Sequence, residues 1–547
     1  MKQRSYCGVQ MQHFHPLNDL VRHLEEPFSR IKVVLLRSQP GSRKKDMKLQ
    51  LIHQKLKPPS AFPDGKGNCS PWNSGLQKIY RDAVLVLTVI VILILLMMVQ
   101  LLLFPYNHQM DKIHIPSEIR KAAADIELGW SDSCSLVLVE SIPEGMHFGP
   151  NSTVNPSIFE GWMKLLREAE KSIEISSFYW TMQNKDTNTS EPSAYQGEEV
   201  LQKLQEVSKN LSVRVAVNKP LRTETLADLD LLKKSGAKFT VVDMPRLTAG
   251  VLHTKFWIVD RKHVYIGSAN MDWRSLTQVK ELGAIIFNCS QLAEDLGKTF
   301  EEYWNIGGSN SSIPSRWPSN YSTSYNEKNP MELELNDSPA SVYFSSSPRA
   351  LCPDGRTDDL TSILSIIDDA KKFVLVAVMN YIPVTVFSYP KRYWPDIDTR
   401  LRKAAFERKV KVRLLISCWS HSNPSMFPFL QSLAALKSHK GLLNVEVRIF
   451  TVPAMQEQNS IPYARVNHNK YMVTDRVAYI GTSNWSGDYF VNTAGVGLVV
   501  NQSSTMRHST GSSVRKQLQD VFSRDWHSSF SKALNNGEDL SRICKYI

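Results

Sequence analysis

The sequence lacks the residue clusters with which proteins commonly hold metal ions. None of its 7 cysteines forms a Cys-x-x-Cys pair, and no Cys/His cluster has the spacing of a structural zinc site. No group of carboxylates suited to a pair of Mg²⁺ ions is apparent either. We therefore expect no metal and no cofactor, and the chemistry must come from other side chains.

Excess charge of one sign is also absent from most of the chain. The net charge is +12, but residues 1–81 hold 15 Lys and Arg against 5 Asp and Glu, whereas residues 82–547 hold 50 against 48. The basic character therefore belongs to the N-terminal tail. The near-neutral remainder lacks the excess of positive charge expected of a protein that tracks a long duplex.

Long apolar runs are rare, and the clearest one occupies residues 83–104. These 22 residues carry no charge, and as a helix at ~1.5 Å per residue they would span about 33 Å, enough for the bilayer core. We predict a transmembrane signal anchor there. A basic, disordered, cytosolic tail would precede it at 1–82, and a lumenal stalk would follow at 105–133.

Glycosylation sequons and cysteines favour a lumenal C-terminal part. One sequon precedes the apolar run at Asn68, and nine follow it, at Asn151, Asn188, Asn210, Asn288, Asn310, Asn320, Asn336, Asn484 and Asn501. Asn484 should be too buried for a glycan. Five of the seven cysteines also follow the run, which agrees with an oxidising compartment.

Two copies of one polar pattern organise the remainder of the chain. The first is His253-Thr254-Lys255, Asp260 and Gly267-Ser268-Ala269-Asn270, and the second is His468-Asn469-Lys470, Asp475 and Gly481-Thr482-Ser483-Asn484. Apolar residues surround each copy, which predicts a buried strand with the His and the Lys on one face. A single His-x-Lys is usually ordinary surface chemistry. Two copies at nearly the same spacing favour a shared functional site.

Helix and strand signals repeat together with the motifs. An amphipathic helix from Ile158 leads into a strand at 173–178, and a second helix from Leu360 leads into a strand at 373–378. Strands that alternate with helices predict the α/β class, as two similar α/β sandwich lobes at 134–306 and 351–547. Residues 307–350 are dense in Ser, Asn and Pro, which predicts a linker or a surface excursion.

The paired motifs resemble the HKD signature of the phospholipase D superfamily. The segments 251–257, 268–278 and 466–470 are most similar to the third and fourth members of the vertebrate phospholipase D family. The resemblance runs from about Cys134 to the C-terminus. It implies a phospholipase D fold, with two lobes packed around a pseudo-twofold axis that build one phosphodiesterase site.

The same resemblance implies a location and a substrate. Those relatives are single-pass type II glycoproteins of the endoplasmic reticulum, Golgi and endolysosomes, with a lumenal catalytic part that proteolysis can release. They act as 5′-exonucleases on single-stranded DNA and RNA. The expected partner is therefore the 5′ end of a single strand, and a homodimer is left open.

The motif residues suit phosphoryl transfer. One histidine can attack phosphorus and the other can protonate the leaving oxygen, so we predict a phosphohistidine intermediate. The residues expected to bind the phosphoryl oxygens are His253, Lys255, Asn270, His468, Lys470 and Asn484.

The two halves differ at Glu281, which has no carboxylate counterpart in the second half. A carboxylate that accepts the Nδ1 proton of an imidazole leaves Nε2 free to attack. We therefore predict that Glu281 orients His253, which becomes the nucleophile, and that His468 is the acid. The resemblance implies that Asp260 and Asp475 are structural.

The repeat also guides a prediction of the cysteine pairing. We expect disulfides that cross-link each half, Cys134 to Cys289 and Cys418 to Cys544, with Cys352 free.

Four aromatic residues near the motifs could stack on a terminal base or could simply pack in the core: Tyr179, Trp180, Trp273 and Trp485.

Three classes of function are compatible with the sequence. A nuclease that acts from the 5′ end is favoured by the resemblance. A phospholipase D or transphosphatidylase acting on lysosomal phospholipids would use the same chemistry with a lipid substrate. An inactive lumenal binding protein is disfavoured because both motifs keep their His, Lys and Asn.

Overall fold

The computed structural model describes residues 134–221, 226–437, 443–502, 512–534 and 544. The predicted tail at 1–82, the anchor at 83–104 and the stalk at 105–133 lie outside these residues. Within the described ranges, no helix combines the length and the apolar character needed to cross a bilayer.

The first lobe is a seven-stranded mixed sheet with helices against it. Its strands are β1 (Ser135–Ser141), β2 (Ser172–Ser177), β3 (Trp180–Thr181), β4 (Ser212–Asn218), β5 (Lys238–Val242), β6 (Phe256–Val259), β7 (His263–Gly267), β8 (Met271–Asp272) and β9 (Glu281–Phe287). Its helices are α1 (Ile158–Glu168), α2 (Asn184–Thr187), α3 (Tyr195–Val207), α4 (Ala227–Lys234), α5 (Met244–Thr248), α6 (Trp273–Thr277) and α7 (Ser290–Asn305). The sheet order is β1-β9-β7-β6-β2-β4-β5, with β3 and β8 paired separately.

The second lobe repeats this arrangement and extends it. Its strands are β10 (Met331–Glu334), β11 (Pro339–Ser347), β12 (Thr357–Asp358), β13 (Phe373–Val378), β14 (Tyr381–Ile382), β15 (Lys411–Ser417), β16 (Val445–Phe450), β17 (Lys470–Thr474), β18 (Val477–Gly481), β19 (Trp485–Ser486), β20 (Gly495–Asn501) and β21 (Ser531–Ala533). Its helices are α8 (Asp359–Asp369), α9 (Asp396–Arg408), α10 (Met426–Ala434), α11 (Gly487–Val491) and α12 (Val514–His527).

The two sheets share one strand order. In the second sheet β11-β20-β18-β17-β13-β15-β16 follows the same path as the first sheet, with β10 and β21 added at the edges and β12 beside β11. In the first lobe β2, β4 and β5 run parallel to one another, and β6, which follows the first motif, runs antiparallel to β2. In the second lobe β13, β15 and β16 run parallel, and β17 runs antiparallel to β13. The α/β lobes predicted from the sequence are therefore present.

A continuous apolar core joins the lobes. It contains side chains of both sheets together with the inner faces of α7 and α12, such as Phe300 and Phe522. Separate clusters lie on the outer side of each sheet, beneath α1, α3 and α4 in the first lobe and α8, α9 and α10 in the second. Helices and sheets thus bury both faces of each sheet, as a mixed α/β layer structure requires.

Helix α1 shows how the sequence sets these layers. Ser157 caps the helix by accepting a hydrogen bond from the backbone N–H of Glu160, and the Glu160 carboxylate accepts one from the backbone N–H of Ser157. Trp162 lies on the apolar face and stacks on Trp257 of β6, with ring centroids 4.9 Å apart. The helix therefore packs directly behind the first motif strand.

The expected linker at 307–350 differs from the structure, because β10 and β11 lie within it. β11 pairs with β20 over seven positions and occupies the place that β1 has in the first sheet. The serines at the end of β11, residues 345–347, are buried and hydrogen-bonded: Ser345 donates to Asp359, and Ser347 donates to the Thr493 carbonyl. In this part of the segment, serine therefore supplies small satisfied hydroxyls inside a sheet, whereas most serines before β10 are exposed.

Both predicted disulfides are confirmed. Cys134 pairs with Cys289 and Cys418 pairs with Cys544, while Cys352 is free. The first bridge ties the residue before β1 to the residue before α7, and the second ties the end of β15 to the C-terminal residues. Each cross-link closes a long loop, of 155 and 126 residues respectively.

Candidate active site

Each motif leads directly into a central strand. β6 begins immediately after Lys255, and β17 begins at Lys470, so the histidines lie just before the strands rather than within them. Ser176 at the carboxyl end of β2 is opposite Phe256 in the antiparallel register. The motifs are therefore at the edge where the parallel strands end, the usual position of ligand sites in α/β sheets.

Backbone hydrogen bonds between the lobes hold both histidines. The His253 N–H donates to the Ala494 carbonyl at 2.9 Å, and the His468 N–H donates to the Lys280 carbonyl at 2.8 Å. Ala494 lies next to β20, and Lys280 lies next to β9, which are equivalent strands. Each histidine is thus fixed by the opposite lobe, and the site exists only where the two lobes meet.

Glu281 contacts His468, not His253, so the predicted pairing is wrong. Its two carboxylate oxygens lie 2.9 and 3.0 Å from His468 Nδ1. The Nδ1 of His253 instead lies 2.9 Å from the Thr482 carbonyl oxygen. The reason is the backbone hydrogen bonding between the lobes. The Lys280 N–H donates to the Val466 carbonyl, and the Lys280 carbonyl accepts from the His468 N–H. The next residue, Glu281, therefore faces His468.

The different partners set different electrostatics for the two imidazoles. Burial lowers the pKa of His253 well below its usual range, and Lys255 and Lys470 lower it further. Burial also lowers the pKa of His468, but the Glu281 carboxylate opposes this effect. His468 therefore retains a proton more readily than His253 does.

The two lysines occupy equivalent positions. Lys255 Nζ donates to its own motif's His253 carbonyl at 2.8 Å, and Lys470 Nζ donates to the His468 carbonyl at 2.7 Å. Burial lowers the pKa of Lys470 to about 7 and moves that of Lys255 well below its usual range. A bound phosphate would supply the negative charge that restores both ammonium groups.

The two asparagines are also in equivalent settings. Asn270 Nδ2 donates to the Tyr179 hydroxyl at 3.3 Å, and Asn484 Nδ2 donates to the Tyr489 hydroxyl at 3.1 Å. Tyr179 in turn donates to Asp272 at 2.9 Å, an oxygen that Arg274 also binds. Each amide is therefore oriented by a tyrosine, with one further donor hydrogen left for a phosphoryl oxygen.

Asp260 and Asp475 anchor backbone instead of facing the site. Asp260 accepts hydrogen bonds from the backbone N–H groups of residues 170–172, and Asp475 accepts them from those of residues 371–373. These amides lie at the start of β2 and β13, where the first backbone donors would otherwise be unpaired. The geometry agrees with the structural role that the resemblance implied.

Three of the four aromatic candidates pack in the core. Trp180, Trp273 and Trp485 are 4%, 0% and 2% exposed, which leaves no face for a base. Tyr179 does lie at the site, as the partner of Asn270. Sequence reasoning missed Tyr489, whose ring centroid is 5.1 Å from that of His253. Its position five residues after Asn484 was the available signal, because a short helix there returns the side chain to the asparagine.

Among the described residues, no group of three or more His, Cys, Asp or Glu side chains is arranged to hold a metal ion. The buried charges of the site are instead His253, Lys255, His468, Lys470 and Glu281. These are groups that can transfer protons and bind phosphate directly.

A family model described as "PLD3/4, PLD-like domain" matches residues 150–455, which include the first motif, most of the first lobe and about half of the second lobe. The chain belongs to this family of the phospholipase D superfamily. Family membership agrees with the duplicated lobes and with the shared site between them.

Several curated relatives of this PLD3/4-family chain are similar over most of its length. The 5′-3′ exonuclease PLD3 of Xenopus laevis is 57% identical over 469 residues, covering 86% of this chain and 94% of the relative. The human protein of the same name is 50% identical over 506 residues, covering 92% and 100%. The 5′-3′ exonuclease PLD4 of Mus musculus is 46% identical over 433 residues, covering 78% and 85%.

Proposed function

We propose that this protein is a phosphodiesterase that removes nucleotides from the 5′ end of single-stranded DNA and RNA through a phosphohistidine intermediate. The observation that carries the proposal is the pair of imidazoles, His253 and His468, held between the lobes with unlike Nδ1 partners. The names of the PLD3 and PLD4 relatives support the nuclease activity and its direction.

His253 is the nucleophile in this proposal. A carbonyl oxygen can only accept, so the contact with Thr482 places the proton on Nδ1 and the lone pair on Nε2. The low pKa of His253, which burial and the two lysines cause, keeps this ring neutral. A neutral imidazole with a free Nε2 lone pair is the form that can attack phosphorus.

His468 is the general acid and then the general base. Glu281 stabilises its protonated form, so Nε2–H can be given to the leaving oxygen. In the first step the P–N bond to His253 forms, the P–O bond breaks, and the proton of His468 moves to the leaving oxygen. In the second step His468 takes a proton from water, whose oxygen attacks phosphorus and breaks the P–N bond.

The assignment retains the roles predicted from the sequence for a different physical reason. A carboxylate beside an imidazole favours the cation, which suits the acid more than the nucleophile. Lys255 and Lys470 would neutralise the phosphoryl oxygens, and Asn270 and Asn484 would donate to them. These groups are fixed before the substrate arrives, so little reorganisation is needed.

Trapping the intermediate tests the proposal. With a nitrophenyl phosphodiester, whose leaving group needs no proton, the His468→Asn variant should form the P–N bond and release product slowly. Phosphorylated peptide should accumulate at His253. Phosphate on His468 in the His253→Asn variant, with none on His253 in the other, would reverse the roles.

A substrate panel tests the nuclease activity itself. The purified protein should shorten 5′-hydroxyl oligonucleotides at acid pH, and its activity on phosphatidylcholine with or without an acceptor alcohol should be far lower. The opposite order of rates would favour the phospholipase or transphosphatidylase alternative. Lack of activity on both, with intact folding, would favour the binding protein.

We also propose a type II orientation in endolysosomal membranes, anchored at 83–104. The nine sequons after this segment support the proposal. Protease treatment of intact microsomes should digest the tail and leave residues 105–547 protected. Digestion of the catalytic lobes would contradict the orientation.

A further inference from the structure

Three aromatic side chains of the second lobe form a continuous row from the core to the surface: Trp419, His421 and Tyr463. The ring centroids of Trp419 and His421 are 4.8 Å apart, and those of His421 and Tyr463 are 4.7 Å apart with an angle of 23° between the planes. We call this row the aromatic ladder. Its inner end is buried and its outer end is exposed.

The inner end of the ladder is close to the acid of the proposed mechanism. Trp419 packs in a small apolar cluster with Val279 and Val466. Val279 is two residues before Glu281, and Val466 is two residues before His468. The ladder therefore begins against the segments that carry the Glu281 and His468 pair and extends outwards from them.

The outer end is held in an unusual backbone conformation. Tyr463 has φ of 56° and Arg465 has φ of 55°, values in the left-handed region that residues with a side chain rarely adopt. Such conformations persist where surrounding contacts impose them, and they are common at binding sites. The strained turn displays Tyr463 with 64% of its surface exposed.

The first lobe imposes this turn. The Arg465 N–H donates to the Gln278 carbonyl at 3.1 Å, and its guanidinium donates to the Glu144 carbonyl at 2.9 Å. Arg274 donates to the Pro462 carbonyl, and the same guanidinium binds Asp272, the acceptor for Tyr179. A loop of the second lobe is thus locked by the residues that also order the site.

Packing alone gives no reason to lock an aromatic ring in solvent. A rigid ring with one face on His421 and an exposed side is, however, suited to stacking on a nucleic-acid base, which needs no particular base identity. The inner end of the ladder packs against Val466, two residues before His468, the group that gives its proton to the leaving oxygen. A base stacked there would belong to the nucleotide that carries this oxygen.

We propose that Tyr463, supported by His421 and Trp419, is a base-stacking subsite for the nucleotide on the leaving side of the scissile phosphate. The proposal rests on the nuclease function and adds a determinant of substrate binding to it. The contact is with the π face of a base, so it distinguishes nucleic acid from a phosphodiester without a base at that position.

Kinetics with matched substrates test the subsite. On a single-stranded oligonucleotide, Tyr463→Ala should raise KM about tenfold, as expected for the loss of one base stack, and leave kcat nearly unchanged. Tyr463→Phe keeps the ring and should behave as wild type. On a nucleoside 3′-(methyl phosphate), which has no aromatic ring on the leaving side, Tyr463→Ala should match wild type.

An abasic scan locates the partner of the ring. At one position, removal of the base should raise the KM of the wild type about tenfold and have no further effect on Tyr463→Ala, which is the signature of coupled groups. Tyr195→Ala removes another exposed tyrosine, 55% exposed on α3, and serves as the control. It should leave KM unchanged.

The outcomes separate the subsite from the nuclease function. The subsite is wrong if the effects of Tyr463→Ala and of base removal on KM add independently at every position. It is also wrong if Tyr463→Ala and Tyr195→Ala have the same KM on oligonucleotides. In both cases the nuclease function stands. An equal loss on the methyl phosphodiester would mean that Tyr463 only maintains the fold. A wild type that degrades no oligonucleotide would instead overturn the nuclease function.

Discussion

At the scale of single residues, the site is an arrangement of buried groups whose charges depend on one another. Glu281 has 0% exposure, and besides His468 it accepts a hydrogen bond from Ser275 at 2.9 Å. The nearby lysines have lowered pKa values because burial disfavours their charged forms. A change in one carboxylate should therefore alter proton transfer more than it alters folding.

Glu281→Gln isolates that effect, because the amide oxygen can still accept from Nδ1 of His468. We expect kcat to fall about 10- to 100-fold with little change in KM, the usual loss for a residue that acts through a partner. Glu281 raises the pKa of His468, so its removal should shift the loss of activity at high pH to a lower pH. The kcat profile from pH 4 to 8 measures this shift.

Two comparisons make the Glu281 test specific. The exposed Glu199→Gln variant on α3 should keep the wild-type profile. A nitrophenolate leaving group needs no proton from His468, whereas an alkoxide does. Glu281→Gln should therefore slow the departure of nitrophenolate less than it slows the departure of an alkoxide. Equal losses with both leaving groups would show that Glu281 does not act through the acid.

Lys470 should show a conflict between stability and activity. Its folded pKa of about 7 is below the unfolded value of ~10.4, so stability increases as pH rises between them. Below about pH 7 the folded protein must bury the full charge. Lys470→Met should therefore raise Tm most below pH 7 and progressively less towards pH 10, while activity falls about 100-fold or more.

Thermal unfolding across this pH range measures the Lys470 effect. The exposed Lys372→Met variant, at the start of the same lobe's sheet, should leave Tm unchanged at every pH. A lower Tm for Lys470→Met at pH 5 would mean that its hydrogen bond to the His468 carbonyl contributes more than burial of its charge costs.

At the scale of elements, contacts between edge strands and turns decide which asparagine side chains are available for glycosylation. Asn336 belongs to a sequon, but its side chain is used in the fold. Its Oδ1 accepts from the Leu136 N–H at 2.7 Å, and its Nδ2 donates to the Leu136 carbonyl at 2.8 Å. The amide thus completes the outer edge of β1, which belongs to the other lobe.

We expect Asn336 to carry no glycan, because attachment would remove the Nδ2 donor from this contact. Asn336→Ala should leave two backbone groups of Leu136 without these partners and lower Tm by several degrees, at about 1–3 kcal/mol for each buried unpaired group. Asn320→Gln is the control: Asn320 is exposed, so its loss should remove one glycan and leave Tm nearly unchanged. Site-resolved glycopeptide mass spectrometry would contradict the first expectation by finding a glycan on Asn336.

At the scale of the whole molecule, the core between the lobes contains a buried carboxyl group that should make the folded protein more stable at low pH. Glu302 lies on α7 with 0% exposure, and neither of its carboxylate oxygens accepts a hydrogen bond from the described residues. Burial raises its pKa well above the usual value, although Arg356 partly opposes this. The neutral acid is therefore the stable form inside the protein.

This raised pKa predicts how the stability of the whole protein depends on pH. Because the folded pKa exceeds the unfolded value, the contribution of Glu302 is complete below about pH 4.3 and is lost as pH rises through the folded pKa. Glu302→Gln should raise Tm at pH 8 and leave it nearly unchanged at pH 4. Glu294→Gln on the exposed side of α7 should have little effect at either pH, and an equal gain from both variants would exclude burial as the cause.

The sequence by itself determined the features that repeat or that lie close together along the chain. Two motifs of nearly the same spacing predicted two lobes and one site, and the apolar residues around each motif predicted the central strands. The position of each cysteine relative to its half predicted both disulfides. These conclusions succeed because strand periodicity and duplicated segments constrain each lobe independently.

Only the tertiary structure decided what happens across the junction of the lobes. The exchange of backbone hydrogen bonds there turned Glu281 towards His468, and no spacing within one half contains that information. The aromatic ladder likewise joins Trp419 and His421 with Tyr463, which are brought together when loops of one lobe are locked by side chains of the other. Periodicity fixes which face of a strand a residue occupies, whereas packing between distant segments decides which group that face meets.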